Sequence, residues 1–181
     1  MESASRIDRQ AIHAELERAR TEFHALLDTA TKADLGKRTD GTRWTNEQLL
    51  FHMLFGYILM LPLLFLMRVF SRLPRGASRG FARLLNAAAR PFHVVNYLGP
   101  LGGAKVFGRR RMGVTFDRVI VSLHRRLDAE REAGLALGMH YPERWDPFFR
   151  DFMTAGDLYR YPTQHFDFHR RQLTLGSGRR P

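Results

Sequence analysis

At 181 residues the chain is one domain's worth, long enough to bury a hydrophobic core without disulfide or metal support. It has no cysteine, which excludes a disulfide framework, a thiolate zinc site and a protein-borne cysteine nucleophile, so any metal must sit on nitrogen and oxygen ligands. The net charge of +11 comes almost wholly from arginine, lysine being confined to Lys32, Lys37 and Lys105. That surplus suits an anionic partner, but the arginines are spread along the chain without interleaved aromatics, so no specific nucleic-acid partner is expected.

Ile12, Leu16, Ala19, Phe23, Leu26 and Leu27 recur at steps of three and four with charged residues between them. This predicts an amphipathic first helix over about residues 7–30. The stretch has no apolar h-region and does not read as a signal peptide. Residues 37–43 carry Thr39, Asp40 and Gly41 and read as a loop. Thr45 and Gln48 have the spacing of a capping box opening a second helix, with Trp44 placed to fold back on Leu49.

From Leu49 to Phe70 the chain is nearly all apolar and long enough to cross a bilayer, which takes about 20 residues. His52 and Arg68 inside the run, Pro62 near its centre and the lack of a second such run argue against a span. The alternative is a central helix that breaks at Pro62 and continues as an apolar extension. Arg72, Arg75, Arg79, Arg83 and Arg90 then alternate with Phe81, Leu84, Leu85 and Ala88. Such a basic amphipathic stretch either lies on anionic lipid or caps the helices with its arginines in water.

Residues 91–108, with Gly99-Pro100 and Gly102-Gly103, read as an irregular crossover or flap carrying Phe92, Val94, Val95, Tyr97 and Leu98. A third helix is expected over about 113–137, burying Phe116, Val119, Ile120, Leu123 and Leu127. A structured loop follows at 141–147. A fourth helix starts at Thr154 or, after Pro162, at Thr163, and reaches about residue 175; 176–181 read as a disordered tail. No strand pattern emerges. The expected class is all-α, four main helices in one domain over 1–175, with an insert at about 62–111 between the second and third.

His165 and His169 stand four residues apart, which on a helix stacks both rings on one face with Cβ atoms about 5–6 Å apart. Two neutral imidazoles so placed can chelate a divalent metal, which then needs a third ligand. His52 is the candidate. Its helical neighbours Leu49, Phe55, Gly56 and Leu59 are apolar or small, so a buried imidazole there needs a hydroxyl, a carboxylate or a metal as partner. Gly56 leaves open space beside it. Of the other histidines, His13 and His24 read as solvent-facing, His124 as buried and hydrogen-bonded, and His140 as lying at a helix end. His93 sits in the insert with no legible role.

The run Trp44-Thr45-Asn46-Glu47-Gln48-Leu49-Leu50-Phe51-His52, followed by Met153-Thr154-x-x-Asp157-Leu158 leading to His165 and His169, resembles the DinB/YfiT-like superfamily. These are four-helix bundles described as metal-dependent hydrolases and related to thiol-dependent S-transferases such as mycothiol-dependent maleylpyruvate isomerase. The resemblance covers roughly residues 7–60 and 113–175. It implies a divalent metal, zinc first with nickel, manganese or iron as alternatives, held by His52, His165 and His169. Open positions would take water or a small-molecule substrate, including a low-molecular-weight thiol. Gln48 and Gln172 stand one turn from His52 and His169 as outer partners, Phe166 and Phe168 are expected to pack between helices, and Asp167 is expected to face away. The expectation is a cytoplasmic homodimeric enzyme. A non-catalytic metal-binding bundle and a protein in peripheral contact with anionic membrane are the alternatives.

Overall fold

A computed structural model describes residues 8–74 and 76–175. The expected tail at 176–181, Arg75 of the basic stretch and the expected helix start at residue 7 lie outside the described residues. The elements are α1 (Arg9–Thr29), α2 (Lys32–Gly36), α3 (Asn46–Phe70), α4 (Gly76–Ala87), α5 (Ala89–Ala129), α6 (Glu132–Leu135), β1 (Gly138–His140), β2 (Phe152–Thr154) and α7 (Ala155–Arg170).

Of the long helices, α1, α3 and α7 begin where a short polar side chain can satisfy free N–H groups, whereas α5 follows Ala88 without a side-chain cap. Asp8 accepts from the Ala11 amide at α1. Thr45 and Gln48 form a reciprocal capping box at α3, and Thr154 and Asp157 form another at α7. Thr154 therefore opens the last helix, and Pro162 lies within it.

α1 and α3 each pack against both α5 and α7. α1 contributes Ile12, Leu16, Phe23 and Leu27, and α5 contributes Met112, Phe116, Ile120 and Leu123, all buried. At the centre the Phe23 and Phe116 rings stack with centroids 4.4 Å apart, and Tyr57 of α3 meets Phe116 edge-on at 4.7 Å. Offset and edge-on geometries are those the ring quadrupoles favour. The first half of α3 is buried all round, from Leu49 to Leu54, which is why its sequence lacks an amphipathic period. α3 is the one described helix long and apolar enough to cross a membrane by length and composition, yet more than half of its most apolar window is buried against the rest of the chain.

The structure corrects five expectations. α3 does not break at Pro62 but runs on to Phe70. The segment 91–108 is helical, not irregular. Pro91 sits in the first turn of α5, where a missing N–H costs nothing, and Gly103 admits the Phe51 ring, which would lie 2.2 Å from any Cβ there. The glycine signal marks a single kink, at Gly108 with φ 60°. The third expected helix ends at Ala129 rather than near 137, and a two-stranded antiparallel ribbon of β1 and β2 follows, where no strand was expected. His140 lies in that ribbon, its Nδ1 3.0 Å from Asp151, and not at a helix end. Three-residue strands are too short for alternation to be read.

Phe116→Ala is expected to cost about 3–5 kcal/mol by leaving a cavity at the aromatic centre, and Thr154→Ala about 0.5–2 kcal/mol through loss of the cap. Urea unfolding measures both, and a costlier cap than core would contradict this packing.

Candidate metal centre

The buried half of α3 and the C-terminal half of α7 bring three imidazoles together. His52 Nε2 lies 3.1 Å from His165 Nε2. The His169 ring sits edge-on to His52 at 4.8 Å and to His165 at 4.5 Å between centroids. One ring nitrogen from each of the three lies within 4.8 Å of the others. His52 and His165 are buried and His169 is half-buried. A tetrahedral ion with bonds of 2.0–2.1 Å sets its ligands about 3.3 Å apart, close to the separation of the first two nitrogens.

Gly56 makes this approach feasible, though not as expected. The room it leaves is taken by His165, whose Nδ1 would stand 2.9 Å from a Cβ at position 56, so the glycine serves the neighbouring helix's ring and not His52. Trp44, next to the α3 cap, lies over His52 with centroids 4.6 Å apart and donates its indole N–H to the Tyr97 carbonyl. The His169 Nδ1–H donates to Gln172 Oε1 at 2.7 Å, which leaves Nε2 unprotonated and available. Gln48 has no such role, because its side chain accepts from the Thr45 amide in the capping box.

Burial governs the charge state. Desolvation, with a smaller contribution from His169, pushes the His52 imidazolium down to about 3 from its ordinary 6.5. The same cause lowers His165 far below its usual range and lowers His169 as well, although the Gln172 hydrogen bond opposes it there. All three rings are thus neutral at pH 7, the state a metal requires of imidazole. His52 Nδ1 and His165 Nδ1 are buried without hydrogen-bond partners. With so little to hold a proton or charge, the donor set of three neutral nitrogens fits a divalent transition ion.

Asp146, which no sequence pattern singles out, also reaches the site. The loop between β1 and β2 folds its carboxylate to 3.8 Å from His165 Nε2. There Asp146 accepts from the Tyr161 hydroxyl at 2.9 Å and from the Phe148 amide at 2.8 Å. Burial raises its pKa against those hydrogen bonds and the pull of His169. Tyr161 is held well above its usual range by burial and by Asp146, so it stays a donor. Nothing in the spacing of Asp146 and His165 pairs them; the one signal was an acid between Trp145 and Pro147 in a loop read as structured. A cavity of about 30 Å³ opens between His52, Gly56, Asp146, Tyr161 and His165. One water needs on the order of 10–15 Å³.

The remaining candidates lie elsewhere. Asp167 faces away as expected and pairs with Arg18 at 2.9–3.0 Å. Phe166 is buried among the helices, whereas Phe168, expected to do the same, is 44% exposed. His13 and His24 are half-buried and engaged rather than solvent-facing: His13 stacks on His124, and His24 lies 2.9 Å from Asp117. His124 is hydrogen-bonded to Glu17 at 2.7 Å.

Fold and site define the chain as a helical protein with a largely buried cluster of three histidines. The sequence profile of the DinB superfamily matches residues 15–173, and the chain belongs to that superfamily. No curated protein and no solved structure matches it.

In the metal-free protein the His52 ring should show the NMR signature of a neutral imidazole down to pH 5, and a midpoint near 6.5 would contradict its burial. Because its folded pKa is depressed, the unfolded chain takes up protons first as pH falls. Stability is therefore complete above about 6.5 and declines as pH drops from there toward about 3.

Proposed function

We propose that the protein is a metal-dependent enzyme, a hydrolase or thiol-dependent S-transferase, with one divalent metal held by His52, His165 and His169. Zinc is the first choice, and nickel, manganese or iron are alternatives. The observation that carries this reading is three neutral imidazoles, two buried and one half-buried, meeting beside a water-sized cavity that also touches a carboxylate. When bound, the metal supplies Lewis acidity that makes a water or a low-molecular-weight thiol a better nucleophile near neutral pH.

The chain's own residues divide the remaining work. Gln172 orients His169 through Nδ1. Asp146 Oδ2 is placed to accept the proton released by the nucleophile, and Tyr161 holds that carboxylate in position. Trp44 and Phe148 lie against His52 and His165 and exclude bulk water. In this reading α1, α3, the part of α5 after Gly108 and α7 are the four-helix bundle of the superfamily, and the enzyme works in the cytoplasm as a homodimer.

A second reading has its own support. Phe65, Leu84, Val94, Val95 and Leu98 are exposed, as are Arg79, Arg83 and Arg90 on the same stretch of chain. Peripheral contact with anionic membrane would use both kinds of group. Flotation with anionic vesicles tests it, and binding unchanged in Arg79→Gln/Arg83→Gln would reject it.

For the leading reading, untagged protein should carry close to one equivalent of transition metal. His165→Ala and His169→Ala should each abolish uptake while leaving helix content intact. Gln172→Leu should weaken zinc affinity about 10–100-fold, whereas Gln48→Leu should reduce stability but not affinity. Less than a tenth of an equivalent in the wild type, or uptake untouched by the histidine variants, would reject the reading. A panel of small thiols with electrophilic acceptors then separates S-transfer from hydrolysis.

A further inference from the structure

Directly beside the histidines lies a chamber of about 470 Å³, within the 300–1,000 Å³ typical of small-molecule sites. Phe55, Leu59, Phe92, Asn96, Trp145 and Phe149 line both this chamber and the small cavity at His52 and His165, so the two spaces share a wall. Among the described residues, no charged residue and no histidine lines the chamber. Asn96 brings the single side-chain amide, and the Trp145 N–H is already spent on the Leu85 carbonyl at 2.7 Å.

The chamber is built by the insert. α4 and the first part of α5 form one side, closed by the loop between β1 and β2, where Trp145 stacks on Phe92 at 3.8 Å and the Arg144 amide donates to Asn86. His52, His165, Asp146 and Tyr161 gather at one end, and the Tyr141 hydroxyl in the chamber wall is buried with no hydrogen-bond partner among the described residues. A sugar or a polyanion would strand its polar groups among aromatic and aliphatic side chains.

We infer that this chamber receives the apolar tail of an amphiphilic substrate, an alkyl or aryl chain whose polar reacting group sits at the histidine end. The inference rests on reading the histidines as the reaction centre. It assigns the insert the selection of substrate by chain length, each methylene adding about fourfold in affinity until the chamber is full.

Calorimetric titration of zinc-loaded protein with acetohydroxamate, hexanohydroxamate and decanohydroxamate tests this, since only the chain differs. Affinity should rise at least a hundredfold across the series. Leu63→Trp, which fills the chamber away from the histidines, should flatten that rise and leave acetohydroxamate within about twofold. Should Leu63→Trp lose helix content, Val95→Trp at the exposed rim takes its place.

1-Decanol binding to zinc-free wild type, blocked by the tryptophan, would support the chamber even where zinc is not taken up, and so separates this inference from the metal reading. Equal affinity for all three hydroxamates would overturn it. So would a dimer on sedimentation that Leu63→Trp splits, since the chamber would then belong to a second copy of the chain.

Discussion

An imidazole brought out of water into a helical core must give up its charge, and this chain does so three times within a few ångströms. His52 and His165 meet nitrogen to nitrogen at 3.1 Å. Either one ring lends the other its only proton, or both turn their lone pairs toward a cation. Protonating both would place two like charges in an apolar interior, at a cost the fold could not bear. The remaining architecture follows from holding that arrangement still. The capping boxes at Thr45 and Thr154 fix where α3 and α7 begin, and hence which residues face each other. Gly56 gives up a side chain so that His165 can lie against α3.

Around this cluster the chain is built asymmetrically. Toward α1 and the later part of α5 the neighbours are packed aromatics, Phe23, Phe116 and Phe166. Toward the insert the packing opens into a chamber whose walls come from α3, α4, the early part of α5 and the β1–β2 loop. The loop has two duties. Asp146 points at the histidines, and Trp145 beside it locks onto Phe92 and Leu85, so the carboxylate's position depends on the docking of the insert. A change in the insert would thereby reach the acid group without touching any histidine.

The helices of the core were legible because their apolar residues keep a 3.6 period or, in α3, saturate it, and because Thr45-x-x-Gln48 marks the start of α3 through a local hydrogen-bond pattern, whereas the start of α7 stayed open between Thr154 and Thr163. The histidine pair on α7 was legible for the same reason: four residues on a helix is a fixed displacement. His52 stood out through the mismatch between one imidazole and its greasy neighbours. The insert was misread because Gly99, Pro100, Gly102 and Gly103 are turn formers in isolation, while packing against α3 overrides that preference, Gly103 being where the Phe51 ring presses in. Asp146 was invisible since its partner lies on another element and nothing local encodes the meeting. Gln172 lay within about one turn of His169 and could be found; Gln48 stood about one turn from His52 but is claimed by the cap.

The central claim is that the three rings form one coordination sphere, and X-ray absorption at the K-edge of the metal carried by the purified protein examines that sphere directly. Three imidazole scatterers are expected at about 2.0–2.1 Å, completed by one or more oxygen or sulfur ligands, with one imidazole lost in His52→Ala. A spectrum of oxygen ligands alone, or one that His52→Ala leaves unaltered, would contradict it.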